Sequence, residues 1–190
     1  AIERFRQEGA FVWLWEPTQM ECVLGAGTPE RDVDLALCAA TEVPVYRRKG
    51  GGGAVILSPG NLIITCAYPA AAKRFASQWI MPIAEGIVRA LQQVGVEGAW
   101  VRGLGDVAIG EKKILGSSLY ANRDLALYQG SLLVGSDLSI IPSYLPHPSR
   151  EPDYRRGRSH LNFVTTLREE GWTGSLAELQ AALTAELKTV

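Results

Sequence analysis

Residues 47–61 read RRKGGGGAVILSPGN, with four consecutive glycines between three cationic residues and a short apolar run. Glycine adopts positive φ angles easily, and because it lacks a Cβ it lets another molecule approach the backbone closely. Successive backbone N–H groups beside cations form a cradle for anions. The stretch therefore predicts a loop that wraps a phosphate or a carboxylate. A plain flexible turn is the alternative, although two glycines would suffice for a turn and four cost more ordering entropy.

Two common phosphate-binding loops do not explain these glycines. The P-loop pattern GxxxxGK[ST] is absent from the sequence. A dinucleotide-binding fingerprint requires a helix directly after its glycines. Here the apolar run AVIL at residues 54–57 predicts a strand, so neither nucleotide-binding motif is indicated.

The composition is typical of one globular domain. The 190 residues include 47% hydrophobic and 21% charged side chains, which suits a sizeable core, and we expect a single domain over residues 1–190. The net charge of −1 gives no reason to expect binding to nucleic acid or to a membrane, and no apolar run reaches the length of a membrane span. Three widely spaced cysteines without a CxxC pair indicate reduced thiols in a cytoplasmic protein, not a disulfide framework or a zinc site.

Short apolar segments bounded by glycine, proline or asparagine predict a chain rich in strands. Separate strands are expected at residues 11–16, 21–26, 43–48, 54–57 and 61–68, and a four-stranded meander is expected at residues 99–134. Helices are expected at residues 29–40, 73–94 and 137–144, and after the capping box Ser175–Glu178. Pro82 would mark a boundary or a kink. Together these elements predict an α+β fold, with one mostly antiparallel mixed sheet flanked by helices.

The glycine stretch and four other segments together resemble a known family. RRKGGGGAV followed by SPGN is similar to the signature of lipoate–protein ligase A, in the biotin/lipoate protein ligase superfamily. The other segments occur in the family's order: WLWEPTQMECVLG (13–25), GLGDVAIGEKKILGSSLY (103–120), LYQGSLLVGSDL (127–138) and RSHLNFVTTL (158–167). Five motifs in the right order and spacing are specific, so the chain is identified as resembling this family's catalytic domain along nearly its whole length.

The resemblance implies a lipoate–protein ligase or its catalytic subunit. Such an enzyme activates lipoate or octanoate with ATP and Mg²⁺ to an acyl-adenylate. It then transfers the acyl group to a lysine of a lipoyl-domain acceptor protein. Lys113 stands where the family keeps the lysine that bridges the acyl carbonyl oxygen and the α-phosphate, so it is the candidate catalytic residue. On a strand, the neighbouring Lys112 would point to the opposite face.

The resemblance also implies a set of binding residues. They are Arg48, Gly50, Gly51, Gly52, Gly53, Ala54, Asn61, Asp106 and Trp15. Arg48 and the glycines would close over the acyl-adenylate, Asn61 would hold the loop, and Asp106 would fix the nucleotide or a magnesium ion. Trp15, Val23 and Leu24 are candidates for an apolar acyl tunnel, which core packing explains equally well. No metal-ligand cluster of the protein's own is expected.

Four departures from the family pattern lie near the implied nucleotide side of the pocket. Gly50 replaces a serine, Gly105 and Thr166 each replace an asparagine, and Leu57-Ser58 replaces a His-Asp pair. These changes remove polar groups, which bears on ATP activation more than on acyl binding. Many lipoate ligases also carry a C-terminal accessory domain, which residues 1–190 are not expected to include, so a separate accessory subunit is left open as a partner.

Two alternative functions stay open. An ATP-independent octanoyl or lipoyl transferase of the same fold would use a cysteine thioester, but Cys38 and Cys66 are predicted to be small buried hydrophobic residues. A non-catalytic homologue would bind an acyl or adenylate ligand without turnover. The choice among lipoate, octanoate and biotin is also open, although the RRxxGGG form favours lipoate.

The polar, proline-rich loop at residues 146–160 supplies a candidate docking surface. Its basic residues are Arg150, Arg155, Arg156 and Arg158. A basic loop could dock an acidic lipoyl domain. A solvated loop, partly neutralised by Glu151 and Asp153, is the equally weighted alternative.

Overall fold

The computed structural model describes residues 1–70 and 75–189, and the strands of this part lie in two separate sheets. In chain order the strands are β1 (Phe11–Trp15), β2 (Glu21–Leu24), β3 (Val45–Arg47), β4 (Val55–Leu57), β5 (Asn61–Pro69), β6 (Ala99–Arg102), β7 (Asp106–Ile109), β8 (Lys112–Ala121) and β9 (Leu125–Leu133). The larger sheet is antiparallel with the order β1-β5-β9-β8-β7-β6. The smaller sheet is mixed with the order β3-β2-β4.

The two longest helices, α3 and α6, pack on one face of the larger sheet, while α1 packs on the other face and α2 and α4 pack with the smaller sheet. In chain order they are α1 (Ile2–Glu8), α2 (Leu35–Ala40), α3 (Ala76–Gln93), α4 (Ile141–Tyr144), α5 (His160–Phe163) and α6 (Leu176–Leu187). The longest, α3, spaces Ile83, Ile87 and Leu91 four residues apart, so all three lie on one face and are fully buried. Within the described residues, no helix combines the length and the apolar character needed to cross a membrane.

The capping box predicted at the last helix is confirmed. The Ser175 hydroxyl accepts a hydrogen bond from the Glu178 N–H, and α6 begins directly after it. Its leucines at positions 179, 183 and 187 join α3 in the main core, against sheet residues such as Leu62, Leu115 and Leu132. One face of the larger sheet is therefore closed by apolar packing.

The opposite face of the larger sheet carries smaller and more polar side chains. Because side chains alternate along a strand, the pairing register shows which residues share this face. One row across four strands is Trp15, Ile63, Ser131 and Gly116, and the next row is Trp13, Thr65, Gln129 and Ser118. We call this the ligand face, because it is the face against which the glycine loop lies.

The predicted α+β fold with a mostly antiparallel sheet flanked by helices is confirmed, as is the meander at residues 99–134, which forms β6 to β9. The expectation that all strands share one sheet is corrected, because β2, β3 and β4 form a second, smaller sheet. The turn at residues 58–60 carries the chain from β4 in the smaller sheet to β5 in the larger one. Gly60 has a φ of 90°, and a Cβ there would lie 2.6 Å from the Ser136 backbone nitrogen. Because Gly60 lies this close to the backbone that follows β9, the chain continues from the turn into the larger sheet.

The helix predicted at residues 29–40 is broken in two. A 3-10 turn at Glu30–Asp32 is followed by Val33 in an extended conformation, and α2 begins after the N-cap Asp34. Extended backbone lets Val33 pack into the core of the smaller sheet, which outweighs helical continuity. Pro82 lies inside α3 and does not end it. The predicted start of that helix, at residues 73–74, lies outside the described residues.

Candidate active site

A β-bulge near the start of β8 decides where Lys113 points. Two consecutive residues of β7, Val107 and Ala108, pair with positions 115 and 113 of β8. Ile114 is therefore an extra residue, and a bulge interrupts the alternation of side chains along its strand. Ile114 and its neighbour Leu115 are both fully buried as a result, and Lys113 is turned towards the ligand face.

Lys113 lies directly over Gly116 on that face. A Cβ on Gly116 would come within 2.8 Å of the Lys113 Nζ, so glycine leaves the room that the ammonium group occupies. Lys112, by contrast, is exposed and borders a surface depression together with Ser136 and Glu169. The two neighbouring lysines therefore serve different surfaces of the molecule.

The Lys113 ammonium is paired with a carboxylate on the adjacent strand. Its Nζ lies 3.0 Å from Asp106 Oδ2, and the two side chains are 24% and 17% exposed. The hydroxyl of Tyr154 donates to the same carboxylate oxygen. Lys113 Nζ also lies 5.8 Å from the centroid of the Phe163 ring. A cation that is partly withdrawn from water in this way acts more strongly on a nearby anion than an exposed one does.

Two further rings and cations complete the surroundings of Lys113. Tyr154 stacks on Phe163 with 5.7 Å between ring centroids. Arg102 lies 4.6 Å from the Tyr154 centroid, while Arg155 and Arg158 lie 4.9 Å and 5.2 Å from the Phe163 centroid. Lys113, Arg102 and Arg155 are each paired with a carboxylate, of Asp106, Glu111 and Glu151 respectively. The cluster is therefore a network of ion pairs around the two rings, with Arg158 as a further cation.

The inward position of two loop arginines corrects the docking prediction for residues 146–160. Arg155 is buried, and burial lowers the pKa of its guanidinium. Arg158 is half-buried and donates to the backbone carbonyls of Tyr154 and Glu111. Of the four loop arginines, Arg150 and Arg156 are the exposed ones, so any docking surface made by this loop has fewer cations than its sequence suggests.

A late segment of the chain fixes the backbone of Lys113 from the side. Beyond their last pair, β8 and β9 separate, and residues 163–168 lie between their ends. The Lys113 carbonyl accepts from the Thr165 N–H at 3.0 Å, and the Leu133 carbonyl accepts from the Leu167 N–H at 2.9 Å. Lys113 is therefore held where β7, β8 and this inserted segment meet.

The four glycines of the loop divide into two pairs. Gly50 is buried, and a Cβ there would lie 2.8 Å from the Ser118 Oγ of β8, while Gly52 has a φ of 92°. These two are required by packing and by backbone conformation. A Cβ on Gly51 or Gly53 would meet nothing within 4 Å. Their lack of side chains is not explained by the fold, and it leaves bare backbone beside the ligand face.

The two arginines before the glycines bind backbone carbonyls. Arg48 Nη2 donates to the carbonyls of Gly51 and Gly53 at 2.7 Å and 2.9 Å. Arg47 Nη1 donates to the Thr28 carbonyl at 2.7 Å. Burial lowers the pKa of the Arg48 guanidinium. Arg48 therefore shapes the glycine loop, and its contact with an adenylate stays a prediction.

Asn61 is buried, and its side chain is used by the turn that enters β5. Its Oδ1 accepts from the Ser58 N–H at 2.7 Å, and its Nδ2 donates to the Ser136 Oγ at 3.4 Å. These bonds hold the end of the glycine stretch to the larger sheet. Contact between Asn61 and a ligand stays a prediction.

The candidate tunnel residues are placed in different surroundings. Trp15 is half-buried on the ligand face, stacked on Trp13 with 5.7 Å between centroids. Leu24 lies in the core of the smaller sheet, and Ala54 packs against that core. The Val23 carbonyl accepts from Arg48 at 3.3 Å. Of the three tunnel candidates, Trp15 is therefore the one whose side chain shares a sheet face with Lys113, and Ala54, from the predicted binding set, lies with the smaller sheet.

The three cysteines are free and buried. Burial raises the pKa of the Cys66 thiol to about 12 and is the main cause of a similar rise for Cys22. The Cys38 thiol donates to the Cys22 sulfur at 3.7 Å. All three thiols are buried away from an acyl donor, so none of them is placed as an attacking nucleophile.

Tyr154, Phe163 and Arg102 were not predicted from the sequence. Tyr154 lies in a loop without periodicity, and Phe163 lies at the end of the unpredicted helix α5. A usable signal was the aromatic residue next to two arginines in DYRR at residues 153–156. Only the fold brings that tyrosine to Asp106.

The surroundings of Lys113 fit a nucleotide-bound magnesium ion better than a metal held by the protein alone. Among residues 1–70 and 75–189, no group of three or more His, Cys, Asp or Glu side chains could hold a metal ion. Magnesium usually binds one or two carboxylates together with substrate phosphates. Asp106 is a carboxylate of this kind, and its Oδ1 lies 3.9 Å from where a Cβ on Gly116 would be.

Comparison with known proteins finds a matching family, a similar sequence and similar folds. Residues 2–188 match the family described as the lipoyl protein ligase A/B catalytic domain. The chain is similar to lipoate-protein ligase A of Psychrobacter cryohalolentis, being 29% identical over 138 residues, which are 72% of this chain and 39% of that protein. The match thus spans about two fifths of the relative's length.

Two solved structures show the same fold. One belongs to a bipartite lipoate protein ligase studied with its E2 lipoyl domain from Thermoplasma acidophilum. It has a TM-score of 0.81 at 22% identity and covers 96% of this chain and 71% of that one. The other is a lipoate-protein ligase A bound with ATP. It has a TM-score of 0.78 at 20% identity and covers 98% of this chain and 76% of that one.

Proposed function

The chain belongs to the lipoyl protein ligase A/B catalytic domain family, and from this premise we propose that it attaches lipoate or octanoate to a lysine of a lipoyl domain, using ATP. The observation that carries the proposal is the placement of Lys113. The β-bulge turns this lysine to the ligand face, the face on which the glycine loop packs. The names of the similar proteins, lipoate ligases with bound ATP or with a lipoyl domain, support the same reaction.

The first step joins two anions. A carboxylate oxygen of the acid attacks the α-phosphorus of ATP, a P–O bond forms, and the bond to the β-phosphate oxygen breaks. The products are an acyl-adenylate and pyrophosphate. A fixed cation between the reacting groups lowers this barrier, because it is already in place when the charges meet. The half-buried Lys113 ammonium is suited to this position between the acyl oxygen and the α-phosphate.

The second step transfers the acyl group. The neutral amine of the acceptor lysine attacks the acyl carbonyl carbon, and the C–O bond to AMP breaks. AMP leaves with the bonding electrons, and the amine gives up a proton. Lys113 would again stabilise negative charge, first on the carbonyl oxygen and then on the leaving phosphate. The glycine loop would keep water from the mixed anhydride.

The glycine loop would supply the anion cradle. Gly51 and Gly53 present backbone with open space around them, so a phosphate or an acyl group can approach closely. Arg48 would preserve the shape of this backbone through its bonds to both carbonyls. Magnesium bound with ATP would neutralise phosphate charge, and Asp106 is the residue that would hold it.

The buried thiols weigh against the transferase alternative. A thioester mechanism needs a cysteine that is exposed to the acyl donor and easily deprotonated. Burial raises the pKa of Cys66 and Cys22 to about 12. We therefore expect Cys66→Ala and Cys38→Ala, made singly, to retain acyl transfer within about twofold of the parent chain.

The decisive experiment measures the intact mass of a lipoyl domain after incubation with this chain, lipoate, ATP and Mg²⁺. We expect a mass gain of one lipoyl group that requires ATP and disappears with Lys113→Leu. A parallel reaction supplies chemically prepared lipoyl-adenylate in place of lipoate and ATP. A gain only in that reaction would show that activation needs a component beyond residues 1–190. The absence of a gain in both reactions would reject the proposed function.

A further inference from the structure

The carboxylate that pairs with Lys113 has a second donor. Asp106 Oδ2 lies 3.0 Å from Lys113 Nζ and also accepts a hydrogen bond from the Tyr154 hydroxyl. A phenol hydroxyl is protonated at neutral pH, so Tyr154 is the donor and the Asp106 carboxylate is the acceptor.

The ring of Tyr154 is held on both sides. Phe163 stacks on it at 5.7 Å, and the Arg102 guanidinium lies 4.6 Å from its centroid. At its edge, a Cβ on Gly103 would lie 3.0 Å from the Tyr154 Cε1, and Gly103 has a φ of 59°. The tyrosine is thus packed into a fitted position, so its hydroxyl meets Asp106 in one orientation.

The backbone of Tyr154 is also tied to the hairpin that carries Lys113. Arg158 Nη2 donates to the Tyr154 carbonyl at 3.0 Å, and Arg158 Nη1 donates to the Glu111 carbonyl at 2.8 Å. Glu111 lies in the turn between β7 and β8, the strands of Asp106 and Lys113. The loop and the hairpin are therefore linked at two points, one through backbone and one through the carboxylate.

We propose that Tyr154 is a positioning residue for Lys113 and acts through Asp106. This inference rests on the proposed function, since it assumes that the Lys113 ammonium is the working cation. A lysine side chain has four rotatable bonds and considerable rotamer freedom. By fixing the carboxylate, Tyr154 fixes the anion that orders this side chain over Gly116.

The test compares Tyr154→Phe, Asp106→Asn and the double variant. Phenylalanine keeps the ring that packs on Phe163 and Arg102 and removes only the hydroxyl. Tyr68→Phe is a matched control, because it removes a hydroxyl that donates to the Leu187 carbonyl at 2.6 Å in the core on the other side of the sheet. We expect Tyr154→Phe to lower kcat about tenfold, as for loss of a hydrogen bond to a charged group. KM for the acid and the control should change little.

The double variant distinguishes positioning through Asp106 from an independent role. If Tyr154 acts only through Asp106, adding Tyr154→Phe to Asp106→Asn causes no further loss of kcat. The same pattern is expected both for adenylate formation and for transfer from preformed lipoyl-adenylate, because Lys113 serves both steps. Fully additive losses, or a Tyr154→Phe enzyme with parent activity, would overturn the proposal.

A measurement without turnover separates this proposal from the proposed function. The Lys113 ammonium gives a heteronuclear NMR signal that can be assigned by its loss in Lys113→Met. We expect this signal to shift or broaden in Tyr154→Phe and to stay unchanged in Tyr68→Phe. If the parent chain transfers no lipoyl group, this result still supports the positional link. An unchanged Lys113 signal in Tyr154→Phe would reject the link whatever the reaction.

Discussion

The larger sheet and the glycine loop meet over β8, but they are stabilised by different interactions. The sheet around Lys113 is backed by a continuous apolar core of β-strand residues and the helices α3 and α6. The glycine loop is held by hydrogen bonds from Arg47 and Arg48 to backbone carbonyls. One region depends on packed side chains, and the other depends on two cations and the absence of side chains.

This difference indicates that the sheet and the glycine loop have different roles at the ligand face. Apolar packing is not exchanged with a ligand, so the cation borne by the sheet keeps its place before and during a reaction. Hydrogen bonds to exposed carbonyls can be exchanged for bonds to water or to a ligand. We therefore expect changes in the sheet cation to affect chemistry, and changes in the loop to affect substrate binding.

The largest effect is expected for Lys113→Leu. Loss of the cation should lower the rate of lipoyl transfer at least about a hundredfold, as for other groups that stabilise transition-state charge. Lys112→Leu is the matched control, since it removes a neighbouring lysine that points to another surface, and it should stay within about twofold. Steady-state rates at saturating substrate test this. Equal losses in the two variants would remove the special role of Lys113.

The second-largest effect is expected at Gly25, which packs against the Gly52 carbonyl of the glycine loop. A Cβ on Gly25 would lie 2.0 Å from the Gly52 carbonyl oxygen, whereas one on Gly27 would meet nothing within 4 Å. We expect Gly25→Ala to lower the free energy of unfolding by about 1–3 kcal/mol through overpacking. Gly27→Ala should change it by about 0.5 kcal/mol or less. Urea unfolding measures both, and equal stability would show that the loop does not rest on this contact.

The third effect separates ligand contact from folding. Gly51→Ala adds a methyl group in open space, so the free energy of unfolding should not fall. If a ligand occupies that space, KM should rise about tenfold, equivalent to ~1.4 kcal/mol of lost binding. Gly27→Ala again serves as the control. An unchanged KM in Gly51→Ala would mean that no substrate approaches this part of the loop.

The smallest effect is a pH dependence in the loop beside the sheet. The His160 Nε2 lies 3.2 Å from the Pro146 carbonyl, and burial is the main cause that lowers the His160 pKa from its ordinary 6.5. The folded loop therefore favours the neutral ring. The contribution of this ring to the stability of the loop is complete above about pH 6.5 and is lost as the pH falls through the lowered pKa. Hydrogen exchange at residues 146–163, corrected for intrinsic rates, should speed up on acidification. His160→Gln should remove this dependence, and its persistence would assign it elsewhere.

Much of the fold and part of the site could be predicted from the sequence. The meander and the terminal helix have local signals, because alternation, turn residues and a capping box act over a few positions. The glycine stretch was expected to use positive φ angles and to let another molecule approach. Gly52 has a positive φ, Gly50 packs against Ser118 of this chain, and the approach of a ligand stays a prediction. The separation into two sheets has no local signal, since the approach of Gly60 to Ser136 depends on segments far apart in sequence.

The rest of the site depends on tertiary contacts. The bulge at Ile114 is a mismatch between two strands, and neither strand shows it alone. Tyr154 reaches Asp106 from a loop whose sequence shows only charge and proline. The arginines before the glycines look like anion-binding groups, yet in the fold they donate to the backbone carbonyls of Thr28 and Gly51. A sequence shows which residues carry a charge or leave the backbone bare. It does not show which partner each of them binds in the fold.

The insertion of residues 163–168 between β8 and β9 also has a consequence for the order of folding. The bond from Thr165 to Lys113 closes a long loop that contains β9 and the turns after it. Such contacts form late, because the entropy of loop closure opposes them until other structure is present. During synthesis, the hairpin that bears Lys113 leaves the ribosome well before the segment that locks it. The domain should therefore gain a fixed Lys113 cation only after this late segment has docked.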